Sequence, residues 1–252
     1  MYRRTGFTLA IVLVLCLFTV EEGRTSTFNV SPLKVVLSGK SNSALVEIAN
    51  QSNDSLRLQL SVVAWDQSPS GEMLLTGTDD IVLFPPLLTV APGEKRKIRL
   101  GAVTPRGTTE KTYRIVLEEL PSLQTAPADG AQIRVLTRMT IPVFLQPSKI
   151  VVSGQIDGLT MHQKNAGFEI RNTGNTHFLA QHIQLTGLGE AGQPITTQDI
   201  EGWYILAGES RRYDVPLPAE HCRGLKSLTV QAQTEAGPLK AQADVRTEEC
   251  GR

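Results

Sequence analysis

The stretch "AQIRVLTRMTIPVFLQP", Ala131 to Pro147, decides the fold. Ile133, Val135, Met139 and Ile141 recur at every second position with Thr137 between them, the period of a β-strand with one largely apolar face. As a single strand it is about three times the usual length, more than one small sandwich needs to close its own sheet. Its apolar face has two readings. Either it is the last strand of that sandwich's own core, or part of it is offered to another chain. Arg134 and Arg138 fall on the opposite side, and Pro147, which has no N–H for a ladder, marks the end of the strand.

Working outward, "LKVVL", "SALVEIAN", "LRLQLSVVAW", "DIVLFP", "KRKIRL" and "TYRIVLEEL" are β-rich or alternating runs bounded by Gly, Pro, Asn or Ser. With the opening stretch they predict seven strands, the number of an immunoglobulin-like sandwich. Leu56, Leu58, Leu60, Val62 and Ala64 form an inward face, while Arg57, Gln59 and Ser61 point away. Little in the chain has helical periodicity. The second half echoes the first: "VEIANQSND" from Val46 aligns with "FEIRNTGNT" from Phe168, and "APGEKRKIRL" from Ala91 with "LAGESRRYDV" from Leu206. The spacing, about 115 to 122 residues, is one sandwich domain. Gly93 and Gly208 fit tight turns needing positive φ. The prediction is an all-β chain of two tandem immunoglobulin-like β-sandwich domains, 26–147 and 148–252, joined near "LQPSKI".

Residues 1–25 precede that fold. Arg3 and Arg4 followed by "TLAIVLVLCLFTV" have the charged and apolar regions of a secretory signal peptide, too short for a regular membrane span. The chain is therefore expected to be exported, with an uncleaved anchor as the alternative, since "EEGRTST" holds no small-residue cleavage pattern. Cys16 belongs to the signal. The remaining pair, Cys222 and Cys250, read as a disulfide closing a loop of about 29 residues, worth roughly 3.5 kcal/mol in the chain-entropy model, with two free buried thiols as the alternative.

Composition removes several function classes. Lys plus Arg and Asp plus Glu number 25 each, so net charge argues for neither nucleic acid nor an anionic membrane. His162, His177, His182 and His221 show no metal-protease spacing; His177 and His182 are expected on one strand, facing opposite ways. No nucleophile elbow, phosphate loop or CxxC pair occurs. An enzyme, a metal and a cofactor are all unexpected.

The signal, the two halves and "FNVSPLKVVLSGKSNSALVEIANQSND", "LTVAPGEKRKIRLG", "TYRIVLEELP" and "RMTIPVFLQP", in that order, resemble the periplasmic, PapD-like pilus (fimbrial) assembly chaperones of chaperone-usher systems. The "YR" of "TYRIVLEELP" and the "R-x-x-IPVF-x-x-P" ending are most similar to the archaic or alternative branch. The resemblance implies an L- or boomerang-shaped molecule with an interdomain cleft. It implies a periplasmic protein, free of membrane anchoring after signal cleavage. Such a chaperone binds pilin subunits by donor-strand complementation, prevents their aggregation and delivers them to an outer-membrane usher. Ile133, Val135, Thr137 and Met139 would be the donated residues, with Ile141 to Phe144 packing internally.

The resemblance also implies a cationic anchor for the subunit's C-terminal carboxylate. Its first position falls on Lys34, but its second falls on uncharged Pro142, so a replacement is expected from Arg138 or Arg114. A junction charge cluster common in the family has Gln146 where an Arg is usual, and Glu119 matches its acidic member. Hydrogen bonds are then expected to hold the junction. The competing reading is an exported two-domain immunoglobulin-like adhesion or binding protein that uses its loops, which needs neither a long alternating strand nor a basic cleft. A pilin subunit, normally one incomplete domain, is a third.

Overall fold

The computed structural model describes residues 27–121, 135–162, 164–222 and 224–246. The signal segment, Ile133, Arg134 and Cys250 therefore lie outside the described residues.

The first sandwich holds β1 (Phe28–Ser31), β2 (Val35–Leu37), β3 (Ser43–Asn50), β4 (Leu56–Gln67), β5 (Met73–Gly77), β6 (Ile81–Phe84), β7 (Leu87–Val90), β8 (Lys95–Ala102), β9 (Lys111–Glu119) and β10 (Arg138–Leu145). One sheet runs β1-β3-β8-β6; the other runs β2-β10-β9-β4-β5, with β7 also on β4. Between them lies a core of aliphatic side chains: Leu56, Leu58 and Leu60 are buried there as their alternation predicts, with Val62 and Ala64 packed against it. β1, β5 and β7 were not foreseen as separate strands. β5 shows why, because all of Met73–Gly77 is exposed, and only its pairing with β4 makes it a strand.

The second sandwich comprises β11 (Gly154–His162), β12 (Asn165–Asn172), β13 (Phe178–Leu179), β14 (Gln181–Leu188), β15 (Pro194–Ile200), β16 (Tyr204–Ile205), β17 (Ser210–Pro216), β18 (Ser227–Gln233) and β19 (Leu239–Asp244). Sheets β11-β12-β17 and β15-β14-β18-β19 enclose a separate core containing Phe168, Phe178, Ile183, Leu185, Leu228 and Val230.

The internal repeat is structural. Buried Asn50 donates from Nδ2 to the carbonyls of Asp54 and Val90, and its Oδ1 accepts from the Ser52 amide. Asn172 does the same one domain later, donating to the carbonyls of Thr176 and Ile205 and accepting from Gly174. Each asparagine uses its whole amide, so a buried polar residue fixes the same corner twice. Gly93 and Gly208, with φ of 71° and 77°, make the matching turns.

The two sandwiches meet through Trp65, Phe144 and Leu206, with Tyr204 packed against them. The Tyr204 ring stands edge-on to Trp65, centroids 5.9 Å apart, and lies 5.6 Å from Phe144. Polar bonds surround these rings. Gln67 donates to the Tyr204 carbonyl at 2.9 Å, and Asn175 donates to the carbonyls of Thr108 and Lys149. Buried Glu110 accepts from the His177 amide at 2.8 Å and pairs with His177 Nδ1 at 2.6 Å, while the His177 ring stacks on Phe144.

Two expectations need correction here. Glu119 is not at the junction: it ends β9 at the far side of the first sandwich, where it accepts the Thr137 amide, and Glu110 at the other end of that strand is the junction acid. His177 and His182 do not share a strand either, since His177 precedes β13 and His182 lies in β14.

Candidate functional site

The opening stretch is not one regular strand. Of 131–147, β10 takes Arg138–Leu145, and Val135 to Thr137 lead into it outside the ladder. The Glu119 amide donates to the Thr137 carbonyl at 2.9 Å, tying the lead-in to β9.

This bond also fixes the direction of the main chain. With Thr137 facing β9, Met139 and Ile141 face β9 too, whereas Arg138, Thr140 and Pro142 turn their N–H and C=O groups to the other edge. On that edge β2 pairs in parallel only with Val143–Leu145. Among the described residues no strand covers Arg138–Pro142, so the edge is open. The missing N–H of Pro142 falls on the open edge, next to the point where β2 begins, which is where a proline interrupts no internal ladder bond.

Side chains change character along the same strand. Ile141, Val143 and Leu145 are core residues, and Met139 is half-buried against that core. Continuing the parity, Thr137 is half-buried and Val135 is 59% exposed, followed by Leu136 at 43%. One face of one segment thus passes from core to solvent without ceasing to be apolar. Two exposed aliphatic side chains beside an open edge are what a sheet normally avoids.

The other face of β10 looks toward the second sandwich, and the anchor candidates separate there. Arg114 on β9 is in register with Pro142 and with Val63 of β4. It is only 4% exposed, donates from Nη1 to Thr140 Oγ1 at 2.9 Å, and lays its Cζ 4.0 Å over the centre of the Trp65 ring. Its Nε and Nη2 are buried without a partner among the described residues. Burial pushes the guanidinium pKa down, with Tyr204 opposing, yet an arginine remains a cation. Lys34 is exposed just before β2; extending the Val35 to Val143 register by one residue sets it beside Pro142, in the row of Arg114. Arg138 is exposed, paired with Glu118 at 3.0 Å and opposite it in register, away from the junction. Arg114 and Lys34 share a row that Arg138 does not.

Trp65, Tyr204 and Glu110 were absent from the residues singled out in the sequence, and His177 was weighed there only as a metal ligand. Trp65 had a signal. Arg57, Gln59 and Ser61 mark the outward face of β4 as polar, and the same parity then turns apolar at Val63 and Trp65, as a strand does when its outer face is covered as well.

Cys222 is buried and disulfide-bonded. Among the described residues there is no cluster of side chains able to hold a metal.

Residues 27–151 match the family model described as pili and flagellar-assembly chaperone, PapD N-terminal domain. The chain belongs to this family of PapD-like pilus-assembly chaperones. Relatives and solved structures extend the likeness over most of its length. It is 24% identical over 214 residues to the protein named "Probable fimbrial chaperone EcpE" of Escherichia coli K12, covering 83% of this chain and 85% of that one. The structure resembles the CsuC–CsuE chaperone and tip-adhesin pre-assembly complex from the archaic Csu pili of Acinetobacter baumannii, with a TM-score of 0.57 and 15% identity over 87% of this chain and 98% of the other. A Salmonella enterica SafA pilin complex with the SafB chaperone gives a TM-score of 0.56 at 13% identity, over 86% and 97%.

Proposed function

We propose that this protein is a periplasmic chaperone, not an enzyme, that holds pilus subunits by lending them a strand and passes them to an outer-membrane usher. The observation that carries this reading is the open edge of β10 at Arg138–Pro142, continued by exposed Val135 on the core parity. A subunit lacking a strand gains main-chain partners from that edge, and its groove takes alternate side chains: Ile133, Val135, Thr137 and Met139. The subunit's C-terminal carboxylate goes to Arg114, with Lys34 alongside; Arg138, already paired with Glu118, is the weakest of the three candidates. Residues 1–25 act as the export signal, 26–147 as the donor domain and 148–252 as the second domain, stapled by Cys222 to Cys250.

Parity tests the reading. Val135→Asp places an unpaired carboxylate in the subunit groove and should remove all recoverable subunit from chaperone purified from the periplasm, with the melting temperature of the free chaperone unchanged. Leu136→Asp, one residue on and facing the other way, should leave recovery within about threefold, because less than roughly 1 kcal/mol is at stake at an exposed site. Undiminished recovery with Val135→Asp refutes strand donation.

A further inference from the structure

Arg114 and Trp65 together present an unusual electrostatic arrangement. Trp65 is 1% exposed, and its Nε1, which can only donate, is buried without an acceptor among the described residues. The guanidinium lying over its ring has two further donors, Nε and Nη2, in the same state. Three donors on two stacked side chains face no acceptor among the described residues, whereas buried polar groups are almost always paired. Nothing in the fold of the first sandwich requires this. A phenylalanine would also set an aromatic face against the guanidinium, without an orphan N–H, and Thr140 satisfies only Nη1.

We propose that Trp65 Nε1 completes the carboxylate anchor, acting with Nε and Nη2 of Arg114 on the last residue of the bound chain. The proposal rests on the subunit-binding reading given above and adds a specificity residue to it. A carboxylate supplies two oxygens with about four acceptor positions, enough for the forked pair from arginine and one more donor. The cation lies over the indole face, so the ring holds the guanidinium plane in place while the N–H at the ring edge contributes a bond of its own. Tyr204 of the second sandwich stands edge-on to Trp65. The three donor atoms are shut off from solvent in this structure, so the carboxylate reaches them only when neighbouring side chains move. An amide or a continuing peptide offers one acceptor oxygen and no charge, and so satisfies the set incompletely. This makes the site selective for a free chain end.

The test is a double-mutant cycle read with a pilin subunit that the parent chaperone stabilises when the two are co-expressed in the periplasm. Trp65→Phe keeps a ring beneath Arg114 and removes the N–H; it should weaken subunit binding about 10-fold, as loss of one charge-assisted hydrogen bond does. Arg114→Ala should weaken it about 100-fold, and adding Trp65→Phe to Arg114→Ala should then change nothing more. Independent, additive losses overturn the proposal, because they make Trp65 a packing residue. Should Trp65→Phe lower the chaperone's own melting temperature, benzothienylalanine at position 65, with sulfur in place of N–H, repeats the test at equal shape; full binding with that residue overturns the proposal. If Arg114→Ala weakens binding while neither change at 65 does, the inference fails and the anchor stands. If none of these changes weakens binding while Val135→Asp abolishes it, both anchor and inference fail and strand donation stands.

Discussion

Each sandwich closes a sheet with its last strand, and the two strands are finished differently. β19 pairs with β18 along its whole length, from Asp244 opposite Ser227 to Leu239 opposite Ala232. It alternates half-buried Leu239, Ala241 and Ala243 with exposed Lys240, Gln242 and Asp244, and β11 lies beside it. Polar side chains and a neighbour blunt that edge. β10 is buried more deeply at its end, where Val143, Phe144 and Leu145 are inaccessible, yet the edge of its beginning away from β9 has no partner strand among the described residues, and Val135 and Leu136 before it are exposed aliphatics. The second domain thus shows how this chain finishes an edge meant to stay unpaired, and β10 departs from that at its first half alone.

The largest effect that could break this contrast is within β10 itself. Ile141 shares the parity of Val135 but belongs to the core. Ile141→Asp should leave no folded chaperone, a cost of more than about 4 kcal/mol, detectable as loss of soluble protein and of cooperative melting. The same charge at Gln242→Asp on β19 should shift stability by less than about 0.5 kcal/mol. A folded Ile141→Asp protein would mean that β10 is expendable to its own domain along its whole length.

A smaller loss is expected where the buried end of β10 meets the second sandwich. His177→Ala removes the ring stacked on Phe144 and the Nδ1 partner of Glu110, leaving that carboxylate with the backbone amide alone. Urea unfolding should show a loss of about 2 to 3 kcal/mol. An unchanged midpoint would show that the contact with the second domain adds nothing to β10.

The smallest effect lies behind the strand. Asp80 accepts from the Tyr113 hydroxyl at 2.6 Å and from Lys111, and chiefly that phenol bond holds its carboxyl below the usual range. Because the folded-state pKa is the lower one, this stabilisation is complete above the unfolded value near 3.9 and is lost as pH falls through the folded value. Asp80→Asn should therefore cost at most about 1 kcal/mol at pH 7 in thermal melts, and the gap from the parent should close below about pH 4. A gap that persists in acid would assign the effect to shape and not charge.

How much of this could be seen beforehand follows from where each signal resides. Strand faces, the two domains and the repeat were legible because alternation and turn glycines are local: Leu56, Leu58 and Leu60, or Gly93 and Gly208, identify themselves. The alternation that runs from core Ile141 to exposed Val135 was legible for the same reason. The open edge was not, since it depends on β2 beginning only opposite Val143, a pairing between residues more than 100 apart in sequence. Arg114 was one of three basic candidates, but its burial over Trp65 and the pairing of Arg138 with Glu118, which separate the two, are tertiary facts. Glu119 misled because "ELP" suggested a junction acid, whereas the junction is made at the opposite end of β9, by Glu110.

Pro142 has a consequence for measurement. A partner strand added along Arg138 and Thr140 finds no further donor at Pro142, and β2 occupies the edge beyond it. On the proposed donation of this edge, the proline would work as a gauge, setting how far along it a guest can run. Since Arg114 sits opposite Pro142, the stop and the charge fall in one row. With the carboxylate on Arg114 as proposed, length and terminus would be checked at a single height, and a guest one residue too long or too short would carry its end past the cation or short of it, whatever its sequence.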